Sequence, residues 1–354
     1  MSLEAAAHLT QDDALTHSTA ARNPYVFVVG CPRSGTTLLQ RMLDNHPQLA
    51  VANDSHFIPR AIEEAAPRAL AEAMCGRDPP LTAEIVEAVH CYHRFARLGL
   101  SDAAVAAAAT QRTYAGFVGA LYAEYGKLRG KPLAGEKTPD YVRCLPLLQG
   151  LFPWLRVVHI VRDGRDVALS TLQWASKGKG PARFDLWKSQ PLAACALWWR
   201  WQTERGRRDA ELLPKNQYCE VMYEELVARP EHSLRPIAEF LDLPFAPQML
   251  AYYEHKTRSR PGLSAKNAWL PPTPGLRDWR TQMDEQDVEL FEALAGDLLT
   301  ASGYERLFPQ VSADVQDTAQ RCSIQWDEAM ACRDARLAHR LGACERSNQH
   351  MAEM

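Results

Sequence analysis

A loop rich in small residues joins the first apolar run of the chain to a helical segment. Residues 25–29 are apolar, residues 30–37 read GCPRSGTT, and an apolar pattern resumes over residues 38–43. The G-x-x-x-x-G spacing is typical of a strand, a phosphate-binding loop and a helix. Nucleotide hydrolases carry a lysine after the second glycine, which reaches the β- and γ-phosphates, whereas this chain has Thr36. We therefore predict that the loop binds a phosphate that is not part of an NTP being hydrolysed.

The residue types in this loop each suit an anion. A helix that begins near Thr36 directs its free N–H groups and the positive end of its dipole at the loop. Gly35 allows close approach of the backbone to a phosphate, and Ser34, Thr36 and Thr37 carry hydroxyl donors. Arg33 adds a permanent charge with a planar fork of donors. The alternative interpretation is an ordinary tight turn between a strand and a helix.

A second turn of the same kind follows the apolar run at residues 156–162 (RVVHIVR). Gly164 comes next, and a helical stretch leads to Ser170. If the strand ends near Arg162, both Arg162 and Ser170 lie at the carboxyl edge of the sheet, where open α/β sheets bind ligands. Together they can bind a second phosphate. The alternative is that the charged residues between positions 162 and 166 simply pair with one another on the surface.

These two turns require a parallel sheet to position them. Weaker strand patterns occur at residues 132–137 and 217–223, and helical patterns fill the long blocks between the strands. Such alternation predicts an α/β protein with a P-loop NTPase-like three-layer fold, in which helices cover both faces of a central parallel sheet. Residues 192–213 predict one helix, whose tryptophans we interpret as core residues.

The same patterns predict how the chain is divided. We expect a flexible leader over residues 1–24, one domain over residues 25–310 with a helical insertion at about 59–129, and a helical tail over residues 311–354. Apolar residues in the tail recur at spacings of three and four, so we expect it to pack on the body or on a partner subunit of an oligomer.

Composition limits the possible functions. The chain has 354 residues, a net charge of -3 and 46% hydrophobic residues, which predicts a large core and no nucleic-acid partner. We expect no membrane span, because no run reaches the roughly 18 apolar residues that one needs. Nine scattered cysteines and the lack of a signal-peptide pattern favour a cytoplasmic protein with reduced thiols. His90 and His93 lack further clustered ligands, so we predict no metal site.

Four motifs in a fixed order resemble one enzyme family. They are residues 31–39 (CPRSGTTLL), 135–139 (GEKTP), 161–170 (VRDGRDVALS) and 223–227 (YEELV). As a set they resemble the sulfotransferases that use 3′-phosphoadenosine 5′-phosphosulfate (PAPS), in pieces from about residue 25 to residue 280. The first motif is most similar to tyrosylprotein sulfotransferases and to sulfotransferase domains of bacterial biosynthetic enzymes.

The resemblance implies a role for each matched residue that binds the cofactor. The first loop, with Arg33, Ser34, Gly35, Thr36 and Thr37, holds the 5′-phosphosulfate in the family. The pair that holds the 3′-phosphate corresponds to Arg162 and Ser170, and a tyrosine beside the adenine corresponds to Tyr223, which could otherwise be a core aromatic. A late basic loop closes over the cofactor in relatives, and Lys266 is its nearest candidate here.

The resemblance also implies the catalytic groups. Charge builds on the bridging oxygen when the sulfuryl group leaves the bisphosphate, and Arg33 and Lys137 can stabilise it without a metal. Lys137 matches a catalytic lysine of the tyrosylprotein branch; the alternative is a surface lysine at a strand end. For the general base, Asp54 stands where relatives carry a glutamate, and His56 is the second candidate, with the better unperturbed pKa. Alternatively, Asp54 caps a helix that starts near residue 57, and His56 is an ordinary buried histidine.

We expect transfer of the sulfuryl group from PAPS to a hydroxyl, with an amine as second choice, and release of adenosine 3′,5′-bisphosphate. The acceptor is expected to be a small molecule, a lipid or a natural-product intermediate, with a peptide tyrosine as the other candidate. The sequence is also compatible with two alternatives: a P-loop kinase or other phosphotransferase, and a nucleotide-binding protein that has lost catalysis.

Overall fold

The centre of the protein is a five-stranded sheet whose neighbouring strands are all parallel. The computed structural model describes residues 23–175, 178–254, 271–273 and 275–352. The strands are β1 (Val26–Val29), β2 (Leu49–Asn53), β3 (Leu133–Lys137), β4 (Arg156–Val161) and β5 (Tyr218–Met222). Their order is β2-β3-β1-β4-β5, so the strand before the predicted phosphate loop lies in the middle. The predicted α/β fold with a central parallel sheet is confirmed.

Side-chain alternation in β1 explains why helices cover both faces of the sheet. Phe27 and Val29 belong to one buried cluster, and Val26 and Val28 belong to another. All four are buried, because successive residues of a strand point to opposite faces and both faces are apolar here.

Helices surround the sheet. Those on the amino-terminal side of β3 are α1 (Thr36–Asp44), α2 (Phe57–Ala65), α3 (Pro67–Met74), α4 (Ala83–Cys91), α5 (Asp102–Ala108) and α6 (Tyr114–Leu128). Between β3 and β5 lie α7 (Leu145–Leu151), α8 (Gly164–Ala175), α9 (Leu186–Ser189) and α10 (Pro191–Ala210). After β5 come α11 (Tyr223–Ala228), α12 (Pro230–Phe240), α13 (Trp279–Gln282), α14 (Glu285–Ala301) and α15 (Ala313–Ala352). Short 3₁₀ turns occur at Phe95–Leu98, Pro139–Arg143, Gly180–Arg183, Lys215–Gln217 and Pro247–Met249.

Strand β2 is absent from the sequence-based prediction. The segment has only five residues (LAVAN), contains two alanines and does not alternate apolar with polar residues. It therefore resembles the helical sequence around it. The strand pairs with β3 from Leu49 opposite Leu133 to Asn53 opposite Lys137. This pairing matters for the site, because it brings the residues after Asn53 beside the end of β3.

The carboxyl-terminal helix α15 packs on the body of the protein. This is one of the two arrangements expected for the tail, the other being packing on a partner subunit. Ala319, Cys322 and Trp326 are buried in a cluster that also contains Trp198 and Trp199 of α10. The interpretation of those two tryptophans as core residues is therefore confirmed. None of the helices in the described part of the chain combines the length and hydropathy needed to cross a membrane.

Candidate active site

The predicted site residues converge at the carboxyl edge of the sheet, because parallel strands all end there. The loop after β1, the turn after β2 and the last residue of β3 are neighbours, since β1 and β2 both pair with β3. The turns after β4 and β5 lie on the other side of β1. A ligand at this edge would be contacted by segments that are far apart in the sequence.

The loop after β1 has the features of an anion cradle. Gly35 has φ +95°, and a side chain there would collide with the ring of Tyr223. Helix α1 begins at Thr36 without a side-chain cap, so its first N–H groups are available to a ligand. The Ser34 hydroxyl is buried and has no hydrogen-bond partner among the described residues. A phosphate-type ligand would satisfy that hydroxyl and those N–H groups together.

Arg33 extends from this loop toward the second turn. Its Nε donates a hydrogen bond to Ser170 Oγ over 3.0 Å, which connects two residues predicted to bind different phosphates. Burial lowers the pKa of Arg33, the nearby Arg277 and Arg162 lower it further, and Asp54 opposes them. The arginine therefore lies in a partly enclosed region where positive charges accumulate.

Arg162 and Tyr223 face each other across the same edge. The Arg162 Cζ lies 4.2 Å from the centroid of the Tyr223 ring, and its Nη2 donates to Asp166 Oδ2 over 3.0 Å. The Arg162 Nε is buried without a partner in the described part of the protein. A cavity of about 610 Å³ adjoins these two residues and is also bounded by Trp279 and Tyr304.

The charged residues of the second turn pair with one another, but they do so in the interior. Arg165 is fully buried and forms ion pairs with Asp163 (2.8 Å) and Glu292 (2.6 Å). Its Cζ lies 3.6 Å from the centroid of the Trp279 ring. The alternative of surface pairing is therefore wrong for these residues. Their network fixes the turn that carries Arg162.

Lys137 is buried at the end of β3, with 1% of its surface exposed. Its Nζ donates to Asp54 Oδ1 over 3.0 Å and to Thr37 Oγ1 over 3.3 Å. Burial lowers the pKa of this lysine, and Asp54 counteracts that effect. The alternative of a surface lysine is wrong, and Lys137 places a cation beside Thr37 of the phosphate loop.

The turn after β2 places both base candidates in an unusual backbone conformation. Asp54 and His56 have φ of 56° and 59°, in the left-handed region that non-glycine residues rarely adopt. Asp54 N donates to Lys137 O over 2.7 Å. Helix α2 begins at Phe57 with no side-chain cap hydrogen bond, so the alternative role of Asp54 as a helix cap is not observed.

His56 lies between two carboxylates. Its Nε2 is 3.9 Å from Asp54 Oδ1, and its Nδ1 is 4.0 Å from Asp140 Oδ2. Burial is the largest influence on the pKa of His56 and lowers it to about 4, although the charges of Asp140 and Asp54 favour the protonated form. The imidazole is therefore neutral at pH 7, but its lowered pKa makes it a weaker base than a free histidine.

A buried network around Glu136 holds this turn and is missing from the sequence-based prediction. Glu136 is fully buried and accepts hydrogen bonds from Ser55 N (2.9 Å), from the Tyr122 hydroxyl (2.7 Å) and from Thr138 Oγ1. Burial raises the pKa of this carboxyl, and the hydrogen bonds from its partners oppose the rise. Its position directly before Lys137, inside an apolar strand, was the signal available in the sequence.

The structure thus brings together Arg33, Ser34, Gly35, Thr36, Thr37, Asp54, His56, Lys137, Arg162, Ser170 and Tyr223. Lys266 lies outside the described residues. His90 pairs with Asp102 (3.2 Å) on the surface, and the His93 ring lies 4.7 Å from that of Tyr92 at a tilt of 47°. In the residues that the structure describes, no group of three or more histidine, cysteine, aspartate or glutamate side chains is arranged to hold a metal.

Comparisons with known proteins found a matching family model and several similar proteins. A family model described as "Sulfotransferase family" matches residues 24–247. The protein-tyrosine sulfotransferase of Drosophila melanogaster is 27% identical over 247 residues, which are 70% of this chain and 44% of that protein. Protein-tyrosine sulfotransferase A of Caenorhabditis elegans is 26% identical and covers 64% of this chain and 52% of its own length. The chain therefore spans about half the length of these curated relatives.

One solved structure supports the fold. The sulfotransferase domain from the Synechococcus PCC 7002 olefin synthase superposes with a TM-score of 0.54 at 21% sequence identity, and the alignment covers 79% of this chain and 94% of that domain.

Proposed function

Because the chain belongs to the sulfotransferase family, we propose that it transfers the sulfuryl group of PAPS to a hydroxyl of an acceptor. The observation that carries this proposal is the buried Lys137 ammonium, 3.3 Å from Thr37 of the phosphate loop and 3.0 Å from Asp54 of the base turn. A positive charge thus lies between the group that would bind the donor and the group that would activate the acceptor.

The side chains present fit a donor with two separate phosphate groups. The Ser34 hydroxyl and the Arg162 Nε are both buried donors without partners in the described structure, one in each turn. Gly35 lets the Tyr223 ring pack against the start of helix α1, whose N–H groups suit an anion. We assign the 5′-phosphosulfate to the loop with Arg33, Ser34, Gly35, Thr36 and Thr37, the 3′-phosphate to Arg162 and Ser170, and the adenosine to the cavity beside Tyr223.

In sulfuryl transfer the acceptor oxygen forms a bond to sulfur while the bond from sulfur to the bridging phosphate oxygen breaks. Negative charge develops on that bridging oxygen, and Lys137 and Arg33 are the cations placed to stabilise it. The acceptor hydroxyl loses its proton in the same step. We assign the role of general base to Asp54, because its carboxylate contacts Lys137 directly. His56 Nε2 lies 3.9 Å from Asp54 Oδ1 and does not form that contact.

The phosphotransferase alternative has no comparable support. Thr36 replaces the lysine that phosphoryl transfer from an NTP needs, and the family match points to sulfuryl transfer. For the acceptor we propose a small molecule, a lipid or a natural-product intermediate. A peptide tyrosine is the second candidate, because the relatives are named protein-tyrosine sulfotransferases.

Ligand-induced shifts in melting temperature test the proposal. We expect adenosine 3′,5′-bisphosphate to stabilise the protein, because a ligand that binds only the folded state raises its stability. Adenosine 5′-monophosphate should stabilise it less, because it lacks the group for Arg162. Stabilisation by ATP with magnesium, and none by the bisphosphate, would contradict the proposal. Transfer of labelled sulfate from PAPS into a panel of phenols, hydroxy lipids and tyrosine peptides then identifies the acceptor class.

A further inference from the structure

Three arginines converge on two tryptophans on the His56 side of the site. The Arg143 Cζ lies 4.9 Å from the Trp201 ring centroid and 5.7 Å from that of Trp198. The Arg183 Cζ lies 5.7 Å from the Trp198 centroid, and the Arg333 Cζ lies 5.0 Å from the Trp201 centroid. We call Arg143, Arg183, Trp198, Trp201 and Arg333 the Arg–Trp cluster. None of its members has a role in the donor site described above.

A single carboxylate connects this cluster to the proposed base turn. Asp140 Oδ1 pairs with Arg143 Nη2 over 2.9 Å, and Asp140 Oδ2 lies 4.0 Å from His56 Nδ1. Burial opposes ionisation of Asp140, but Arg143, His56 and Arg183 outweigh it and lower the pKa of Asp140 to about 2. The cluster is therefore close enough for one small molecule to contact both it and the reacting centre.

Positive charge in the cluster exceeds the negative charge that pairs with it. Asp140 pairs with Arg143, and the exposed Asp334 pairs with the half-buried Arg333 over 3.0 Å, so two carboxylates face three arginines. Arg183 has no carboxylate within 4.0 Å among the described residues; its Nε donates to Gly180 O. Burial lowers the pKa of both Arg183 and Arg333, and the charge of Arg143 adds to this effect. An anion bound here would relieve that repulsion.

Two buried donors in the cluster also lack acceptors. Arg143 Nε and Trp198 Nε1 are inaccessible to solvent and have no hydrogen-bond partner in the part of the chain that the structure describes. Buried donors are nearly always satisfied, and leaving one unsatisfied is costly. Because the two donors belong to adjacent side chains, one oxyanion could accept a hydrogen bond from each of them. The half-buried Trp201 ring would pack against the apolar part of the same molecule.

From these contacts we propose that the Arg–Trp cluster is the specificity pocket for the acceptor, and that it binds the carboxylate or other oxyanion of a hydroxylated acceptor with an apolar or aromatic body. This inference rests on the proposed sulfotransferase function. It gives the carboxyl-terminal helix a role in substrate selection, because Arg333 reaches the pocket from α15, which Ala319, Cys322 and Trp326 fix to the body.

Calorimetric titration of the 354-residue chain, saturated with adenosine 3′,5′-bisphosphate, tests the pocket without turnover. The probes are 4-hydroxyphenylacetate and 12-hydroxydodecanoate, each compared with its uncharged amide. We expect at least one acid to bind about ten-fold more tightly than its amide, the effect of a hydrogen bond to a charged group. R183A and R333A should each weaken binding of that acid about ten-fold, and R333K should restore part of it.

The matched control is R229A, which removes an arginine whose side chain is exposed and pairs with Glu225. It should bind acids and amides as the wild type does. Equal binding of each acid and its amide, binding of neither acid, or the same affinity in R183A, R333A and R229A would each overturn the proposal. Failure of the proposed function is distinct, because the bisphosphate would then not bind while arginine-dependent binding of the acid would persist.

Discussion

Replacing Lys137 with methionine removes the charge between the phosphate loop and the base turn while keeping most of the side-chain volume. The lysine side chain is 1% exposed, and its ammonium lies 3.0 Å from Asp54 and 3.3 Å from Thr37. In a water-excluded site, removing one donor aimed at developing charge lowers kcat by about 10² to 10³, or about 3–4 kcal/mol. We expect K137M to lose that much turnover.

The fold should survive this substitution. Breaking a fully buried ion pair costs about 3–5 kcal/mol, but Asp54 is 26% exposed and keeps Arg97 Nη1 at 3.8 Å from its Oδ2. The stability loss in K137M should therefore be below that range, and affinity for adenosine 3′,5′-bisphosphate should change less than kcat does.

The assay is transfer of labelled sulfate from PAPS at saturating acceptor, with kcat and the KM for PAPS measured separately. K188M is the control, because Lys188 is 81% exposed and pairs with Asp185 on the surface. A kcat of K137M equal to that of K188M would refute the assignment of Lys137 to transition-state stabilisation.

Further predictions concern the two base candidates, the buried Glu136 and the pH dependence of stability and turnover. D54N should lower kcat by about 10² to 10⁴ and H56N by less, with bisphosphate affinity unchanged in both; the reverse order in initial-rate assays would move the base to His56. E136Q should lower the free energy of unfolding, measured in urea, by about 1–3 kcal/mol, because an amide cannot accept every hydrogen bond that reaches this carboxylate. It should also lower kcat more than it lowers donor affinity. Wild-type turnover in E136Q would contradict a supporting role for Glu136. Burial lowers the pKa of His56 and of His159 to about 4, so the folded protein binds these protons more weakly than the unfolded chain, and stability should fall as the pH falls from 6.5 toward 4. Each histidine contributes up to about 3 kcal/mol to this loss, and urea titrations should show a smaller loss in H56N than in the wild type. Burial also lowers the pKa of Lys137, so turnover should decline at a lower pH than the ordinary lysine value of 10.5; a rate that stays constant up to that pH would contradict a charged catalytic lysine.

The local patterns predicted the fold and the donor loop, because they depend on neighbours in the sequence. The glycine spacing before helix α1 and the apolar run of β4 are such signals, and both the loop and the strand form where they were expected. Strand β2 was missed because LAVAN resembles helical sequence, and only its pairing with β3 makes it a strand.

The supporting contacts of the site depend on long-range packing and could not be predicted in the same way. Ser55 N and Glu136 are 81 residues apart in the chain, and their hydrogen bond exists only because β2 and β3 are adjacent. The burial of Lys137 likewise follows from its place near the middle of the sheet. Arg333 meets Trp201 only because α15 packs back along α10. A single sequence contains the residues of these contacts but not their pairing.

Sulfate transfer with simultaneous measurement of the released nucleotide is the decisive test of PAPS-dependent sulfuryl transfer by this protein. The wild-type protein is incubated with labelled PAPS and the acceptor panel, and adenosine 3′,5′-bisphosphate and labelled acceptor are quantified together. We expect equal amounts of both products from the wild type, and about 10²- to 10³-fold slower formation of both in K137M. Absence of labelled product with every acceptor class, in a protein that ATP with magnesium stabilises and the bisphosphate does not, would contradict it.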